Sequence, residues 1–282
     1  MKLLNPEIEA KIQRDITANL LQKKYNLALT HVLAILKELY AAIPDNKRVS
    51  FGRVYTIQEL SKYLFSNLAE ANAAVYEVGS ALFEQSSDFR SKGVALGILS
   101  FYGIANYERV LPFFESSASS HSWNMLEFAQ MFFRKIIQKK PNEAKEYLLK
   151  LAMSKDANTR RFVAETLRPV KENRWFYKRP DYPLSILRRL FRESSAYPRA
   201  SVGNNLSDLA RHLPELVFGL VKELVESGDR NSYWIAYRAC RNLVKKEPAR
   251  VMNLLRVDEY KYKQKVYRRS DYPRNQGKVN TA

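Results

Sequence analysis

One cysteine, Cys240, stands in 282 residues, so the chain has neither an internal disulfide nor a thiolate metal cluster. The three histidines (His31, His121 and His212) show no HExxH or similar spacing. No residue is therefore nominated as a metal ligand, and no cofactor is expected. Nine glycines and eleven prolines are too few for a turn-rich β protein or a low-complexity chain. No apolar run approaches the roughly 20 residues that span a bilayer. The opening stretch, MKLLNPEIEAKIQRD, carries acids and lacks an apolar signal core. The expected location is the cytoplasm, in association with the nucleoid when the protein acts, and no membrane contact is expected.

Acid is the other shortage. Lysine and arginine number 47 against 29 aspartates and glutamates, a net charge of +18. The imbalance is local: residues 151–282 hold 28 basic and 14 acidic residues, and the first 150 hold 19 and 15. Solubility does not require a one-sided excess. A field of one sign confined to half a protein points to a polyanion, bound through phosphate neutralisation and counterion release.

What the chain has in plenty is helical periodicity. Apolar residues recur at three- and four-residue spacing in NLALTHVLAILKELYAAI, LAEANAAVYEVGSALFEQ and LPELVFGLVKELVES. No hairpin signal stands out. A repeat is visible in the second half. RASVGNNLSDLARHLP ends at Pro214 and YWIAYRACRNLVKKEP ends at Pro248, and each is followed by a second apolar helix. LEFAQMFFRKIIQKKP, ending at Pro141, fits the same pattern, as does TRRFVAETLRP before an interruption, VKENRWFYKRPDYP. Helix pairs of this kind cannot bury their apolar faces alone and stack on their neighbours. The expected fold is all-α: an α-α superhelix, or HEAT-like repeat solenoid. Residues 1–85 are expected to form a helical cap, 86–257 the repeat region, and 258–282 a basic, loosely ordered tail.

Three helices carry polar stripes at matching positions. In the first, Arg161 and Glu165 lie four apart and Arg168 follows three later; taken alone, this reads equally as a surface ion pair. The second places Asn204, Asp208 and Arg211 at the same spacing. The third places Trp234, Arg238 and Arg241 on one stripe. Stacked repeats would make these stripes neighbours. Carboxylates repel phosphate, so acids embedded in an arginine-rich wall need another task.

These runs carry a resemblance. RRFVAETLRP, RASVGNNLSDLARHLP and WIAYRACRNLVKK, in that order, resemble the DNA alkylation repair glycosylases of the AlkC and AlkD superfamily of HEAT-like repeats, AlkC most closely. The likeness covers about residues 120–257. It implies Glu165, Asp208 and Glu127 as catalytic carboxylates, the last within Leu126-Glu127-Phe128-Ala129 where the family has Ser-Glu-Phe-Ala. It implies Trp175 as the lesion-contacting aromatic. This chain reads Arg168-Pro169-Val170-Lys171-Glu172-Asn173-Arg174-Trp175 there, two residues longer than the family's Arg-Pro-Arg-Leu-Pro-Trp and with one proline fewer. Candidate DNA contacts are Arg161, Arg168, Arg199, Arg211, Trp234, Arg238, Arg241 and Lys245. The resemblance implies an enzyme: a monomeric DNA glycosylase that hydrolyses the N-glycosidic bond of cationic alkylated bases, of the 3-methyladenine and 3-methylcytosine type, in duplex DNA. Two other readings stay open at this stage. One is a non-catalytic repeat protein that binds branched or distorted DNA; the other is a repeat scaffold for an acidic protein.

Overall fold

The computed structural model describes residues 3–272. The chain opens with α1 (Pro6–Ile12), which runs through a π-helical turn (Gln13–Thr17) into α2 (Ala18–Leu21). Next come α3 (Tyr25–Ala41), α4 (Asp45–Glu70), α5 (Val75–Gln85), α6 (Phe89–Tyr102), α7 (Tyr107–Ala118) and α8 (Trp123–Lys139). Then follow α9 (Pro141–Leu151), α10 (Ala157–Thr166), α11 (Asp181–Leu187), α12 (Ala196–Leu209), α13 (Pro214–Glu226), α14 (Arg230–Ala239) and α15 (Pro248–Leu255). Two strands, β1 (Glu259–Tyr262) and β2 (Lys265–Arg268), follow, and a 3-10 turn (Arg269–Asp271) closes the described chain. Among the described residues no helix is long and apolar enough to cross a membrane.

Helix starts follow local chemistry. Asn5, Asp88, Asp156 and Asp229 cap α1, α6, α10 and α14 by accepting backbone N–H bonds of the first turn. The three prolines of the sequence repeat open the second helices: Pro141 begins α9, Pro214 α13 and Pro248 α15. Proline is favoured there because its missing N–H would have no intrahelical partner and its φ suits the first turn.

The contacts divide the chain into two units, residues 1–144 and 145–282. In the first, α4, α6 and α8 pack in succession, with α5 against α6 and α7 against α8. Alternate-helix stacking thus extends into the segment that the sequence suggests as a cap. It is hard to read there because α6 is covered all round: nine of its residues, Ser91 and Ser100 among them, are buried, which leaves no polar stripe to mark the period. In α4, Gly52 takes φ 49°, a left-handed value that glycine adopts without strain, and breaks the helix there.

In the second unit α10, α12 and α14 stack in succession, with α13 against α14 and α15 against α13. Asparagines staple this stack. Asn205 Nδ2 donates to Ala164 O at 3.0 Å, and Asn242 Nδ2 donates to Ser207 O at 2.7 Å. The interruption after α10 is a 3-10 stretch, Lys171–Tyr177, anchored by Asn173 Nδ2 on Thr166 O (2.8 Å) and Arg168 O (3.0 Å). Gly203 sets how close α14 comes to α12, because a Cβ on it would stand 2.8 Å from Arg238 Cβ. Gly203→Ala should therefore destabilise the protein by about 1 kcal/mol, overpacking outweighing alanine's better helix propensity. A thermal melt checks this; an unchanged or raised midpoint contradicts the packing argument.

The segment 258–272 corrects the expectation of a loosely ordered tail and of no hairpin. β1 and β2 pair antiparallel, with Tyr260 opposite Tyr267. Tyr260 is fully buried, stacks on Tyr237 with ring centroids 4.3 Å apart and donates its hydroxyl to Tyr237 O at 2.7 Å. Burying one aromatic ring holds a hairpin that would be marginal in isolation. Its turn is Lys263-Gln264, with Lys263 at φ 55°, so the Gly or Asn that usually signals such a turn is missing. The last part of the expected tail, 273–282, lies outside the described residues.

Candidate active site

The three polar stripes fall on α10, α12 and α14, and their stacking turns sequence periodicity into a cluster. Glu165, in the last turn of α10, is buried at 6% exposure. Arg168, just beyond the helix end, places Nη1 3.4 Å from Glu165 Oε2. The same guanidinium reaches α12, where Nη2 and Nε donate to Asp208 Oδ2 at 2.5 and 3.0 Å. The other Asp208 oxygen lies 3.4 Å from Arg211 Nη2. One arginine therefore joins carboxylates from two successive repeats. Burial works against the Arg168 cation, but Glu165 and Asp208 together outweigh it and hold its pKa above the ordinary value.

Arg238 Nε from α14 and Arg241 Nη1 from just beyond its end both donate to Asn204 Oδ1, at 2.9 and 3.0 Å. Burial, then repulsion from Arg241, lower the Arg238 pKa, with the Glu165 charge pulling the other way. Trp234 stands at 37% exposure between cations, with Arg199 Cζ 4.9 Å and Arg238 Cζ 5.3 Å from its ring. Arg199 also donates to Asn231 Oδ1. Lys245 is exposed and donates to Asn242 Oδ1 at 3.0 Å.

Three sequence candidates sit differently. Arg161 is 5% exposed, with its guanidinium 4.5 Å from the Tyr197 ring, and little of it remains for a phosphate outside. Trp175 is half-buried and packs into an aromatic cluster, 4.5 Å from Phe176 and 4.9 Å from Tyr182 between centroids. Glu127 lies on α8 in the first unit, where it accepts a hydrogen bond from Gln130 Nε2.

Sequence reasoning passed over Tyr177, two residues beyond Trp175. Its hydroxyl donates to Pro169 O at 3.1 Å and its ring lies 4.2 Å from that of His212. Burial and then the Asp208 charge raise its pKa, while Arg211 and Arg174 pull it back. The one available signal was the mixed aromatic and cationic run WFYKR.

Two acids held by a central guanidinium on a strongly basic face suit a reaction in which positive charge develops on a bound polyanion. The family model described as DNA alkylation repair enzyme matches residues 31–252. The chain belongs to that family. Solved structures agree on the fold. AlkD2 from Streptococcus mutans is similar at 18% identity and a TM-score of 0.55, with 75% of this chain and 97% of that chain covered. The alkylpurine DNA glycosylase AlkC from Pseudomonas fluorescens, bound to DNA containing an abasic site analog, is similar at 18% identity and a TM-score of 0.56. There, 85% of this chain and 68% of that chain are covered. A search of curated proteins returns no significant match. The DNA alkylation repair family and the all-helical repeat fold are thus shown for this chain.

Proposed function

We propose that this DNA alkylation repair protein is a glycosylase that releases cationic alkylated bases, of the 3-methyladenine and 3-methylcytosine type, from duplex DNA. The observation that carries the reading is the joining of Glu165 and Asp208 through Arg168 across two repeats. A base alkylated on a ring nitrogen is already positive, so it leaves without a strong acid. The C1′–N bond breaks, its electron pair goes to the base and neutralises it, and positive charge passes to the deoxyribose. Fixed carboxylates stabilise that charge in a site of low dielectric constant. Water then bonds to C1′ and gives up a proton, for which one carboxylate is the acceptor. In this reading Glu165 and Asp208, both in the second unit, are the catalytic carboxylates. Arg199, Arg211, Trp234, Arg238, Arg241 and Lys245 hold the strand, and the protein acts as a monomer without a cofactor.

The test is release of free base from methylated duplex DNA by the wild type, Glu165→Gln and Asp208→Asn. No release by the wild type, with duplex binding intact, overturns the proposal. The packing of Trp175 against Phe176 and Tyr182 favours a second reading, a non-catalytic binder of distorted DNA, and that same outcome would support it. Either way binding should depend steeply on salt. Five cationic contacts to phosphate imply a loss of about 500-fold between 50 and 200 mM salt, taking about 0.9 counterion per contact. An affinity indifferent to salt over that range contradicts the phosphate argument.

A further inference from the structure

The hairpin that the sequence concealed builds a second site. Because Tyr260 is clamped on Tyr237, the turn end of β1 lies alongside α14 and encloses a groove of about 440 Å³. Its working residues are Trp234, Arg238 and Arg241 from the α14 segment and Lys261, Tyr262 and Lys263 from the hairpin. No acid lines it. The hairpin's own acids are engaged elsewhere: Glu259 accepts from Arg268 Nε at 2.9 Å, and Asp258 lies 3.4 Å from Arg269.

Two features point to a ligand. Arg238 and Arg241 are gathered on the neutral oxygen of Asn204, which orients both guanidiniums without neutralising either. Around the half-buried Tyr262 ring stand three more contacts of one sign, Arg241 at 5.5 Å, Lys245 at 5.4 Å and Lys263 at 5.7 Å. Such a concentration of like charge costs stability unless an anion completes it. The rings narrow the choice of anion. An acidic peptide would satisfy the cations and leave Trp234 and Tyr262 unused, whereas a nucleotide offers a phosphate and a flat base together. A groove this size takes one nucleotide, and an unpaired base enters it without the few kcal/mol that leaving a duplex costs.

We propose that the groove between α14 and the C-terminal hairpin holds one unpaired nucleotide of DNA, its phosphate at Arg238 and Arg241 and its base against Trp234 and Tyr262. The inference rests on the DNA reading of the same repeats. It adds a substrate preference: DNA with an unpaired arm binds better than a blunt duplex.

The experiment measures affinity of the full chain, by fluorescence anisotropy, for a fork with an arm of about ten thymidines and for the matching blunt duplex. The wild type should prefer the fork by about tenfold, the order expected of one stacked base. Tyr262→Ala should abolish that preference, and Tyr262→Phe, which keeps the ring, should retain it. Because Tyr262 sits in the hairpin, the double variant Lys261→Gln with Lys263→Gln, which changes only two exposed side chains, provides a check that spares the fold; it too should lose the preference. Equal affinity of the wild type for both DNAs, or a fork preference that survives in Tyr262→Ala and in the double variant, overturns the proposal. Base release is read separately. Release without fork preference overturns the groove and leaves the glycosylase standing, and fork preference without release does the reverse.

Discussion

Glu165→Gln is expected to slow release of a methylated base by about 10²–10³-fold, the loss typical when one preorganised electrostatic group is removed. The substitution keeps the shape of the side chain and an oxygen for Arg168, and removes only the charge. That charge sits at 6% exposure, where water screens it poorly, so its field at a developing sugar cation is strong. Asp208→Asn should have the smaller effect. Arg168 approaches Asp208 to 2.5 Å but Glu165 only to 3.4 Å, and Arg211 draws further on Asp208. More of the Asp208 charge is thus spent within the protein. Single-turnover release of labelled base measures both rates. Release by Glu165→Gln at the wild-type rate would remove Glu165 from the chemistry, and a larger loss in Asp208→Asn would reverse the proposed division of labour.

The largest stability effect is expected away from this cluster, at Glu193. Arg160, at the start of α10, donates Nε and Nη2 to the Glu193 oxygens at 2.6 and 2.9 Å, and Ser195 N adds a bond at 2.8 Å. Glu193 is buried, its side chain 4% exposed, and Arg160 is half-buried at 14%. The pair ties the entry of α10 to the entry of α12, the helices that carry the two acids. Glu193→Ala should cost about 2–3 kcal/mol, because it takes the charged partner from a half-buried guanidinium and the acceptor from Ser195 N. Urea unfolding at neutral pH checks this; a loss below about 1 kcal/mol would mean that the Ser154 and Lys155 carbonyls, which Arg160 also reaches, suffice for it.

The same pair fixes a pH dependence. Burial alone would raise the Glu193 pKa, but the bonds from Arg160 and Ser195 and the Arg160 charge outweigh it, so the folded-state pKa is lowered. A depressed carboxylate stabilises the folded state fully above its unfolded pKa, about 4.3. That contribution is lost as pH falls through the folded value. The stability gap between wild type and Glu193→Ala should hold at neutral pH and close in strong acid; a constant gap would remove ionisation of Glu193 from the account.

What could be read along the chain was whatever repeats locally. A helix shows itself by a period of 3.6 residues, and its start by a capping aspartate or by a proline in the first turn, as at Asp156, Asp229, Pro214 and Pro248. Glu165, Asp208 and Arg238 fall at corresponding helical positions, so stacking alone suffices to bring their stripes side by side. Stacking in the first half was obscured, because a helix buried on every side, as α6 is, has no polar face to report its phase.

Only the tertiary structure decided partnerships that depend on how one helix is set against the next. The bridge from Arg168 to Asp208 spans 40 residues, and the approach of α14 to α12 depends on the bare Cα of Gly203. Trp175 packs against Phe176 and Tyr182, and Tyr177 against His212, 35 residues on. The hairpin owes its order to Tyr260 meeting Tyr237, a contact across 23 residues that neither segment announces. By itself the sequence determined an all-helical repeat with acids inside a basic face, because periodicity and charge are properties of the chain. Which side chains meet depends on distances between elements, and those exist only once the repeats have packed.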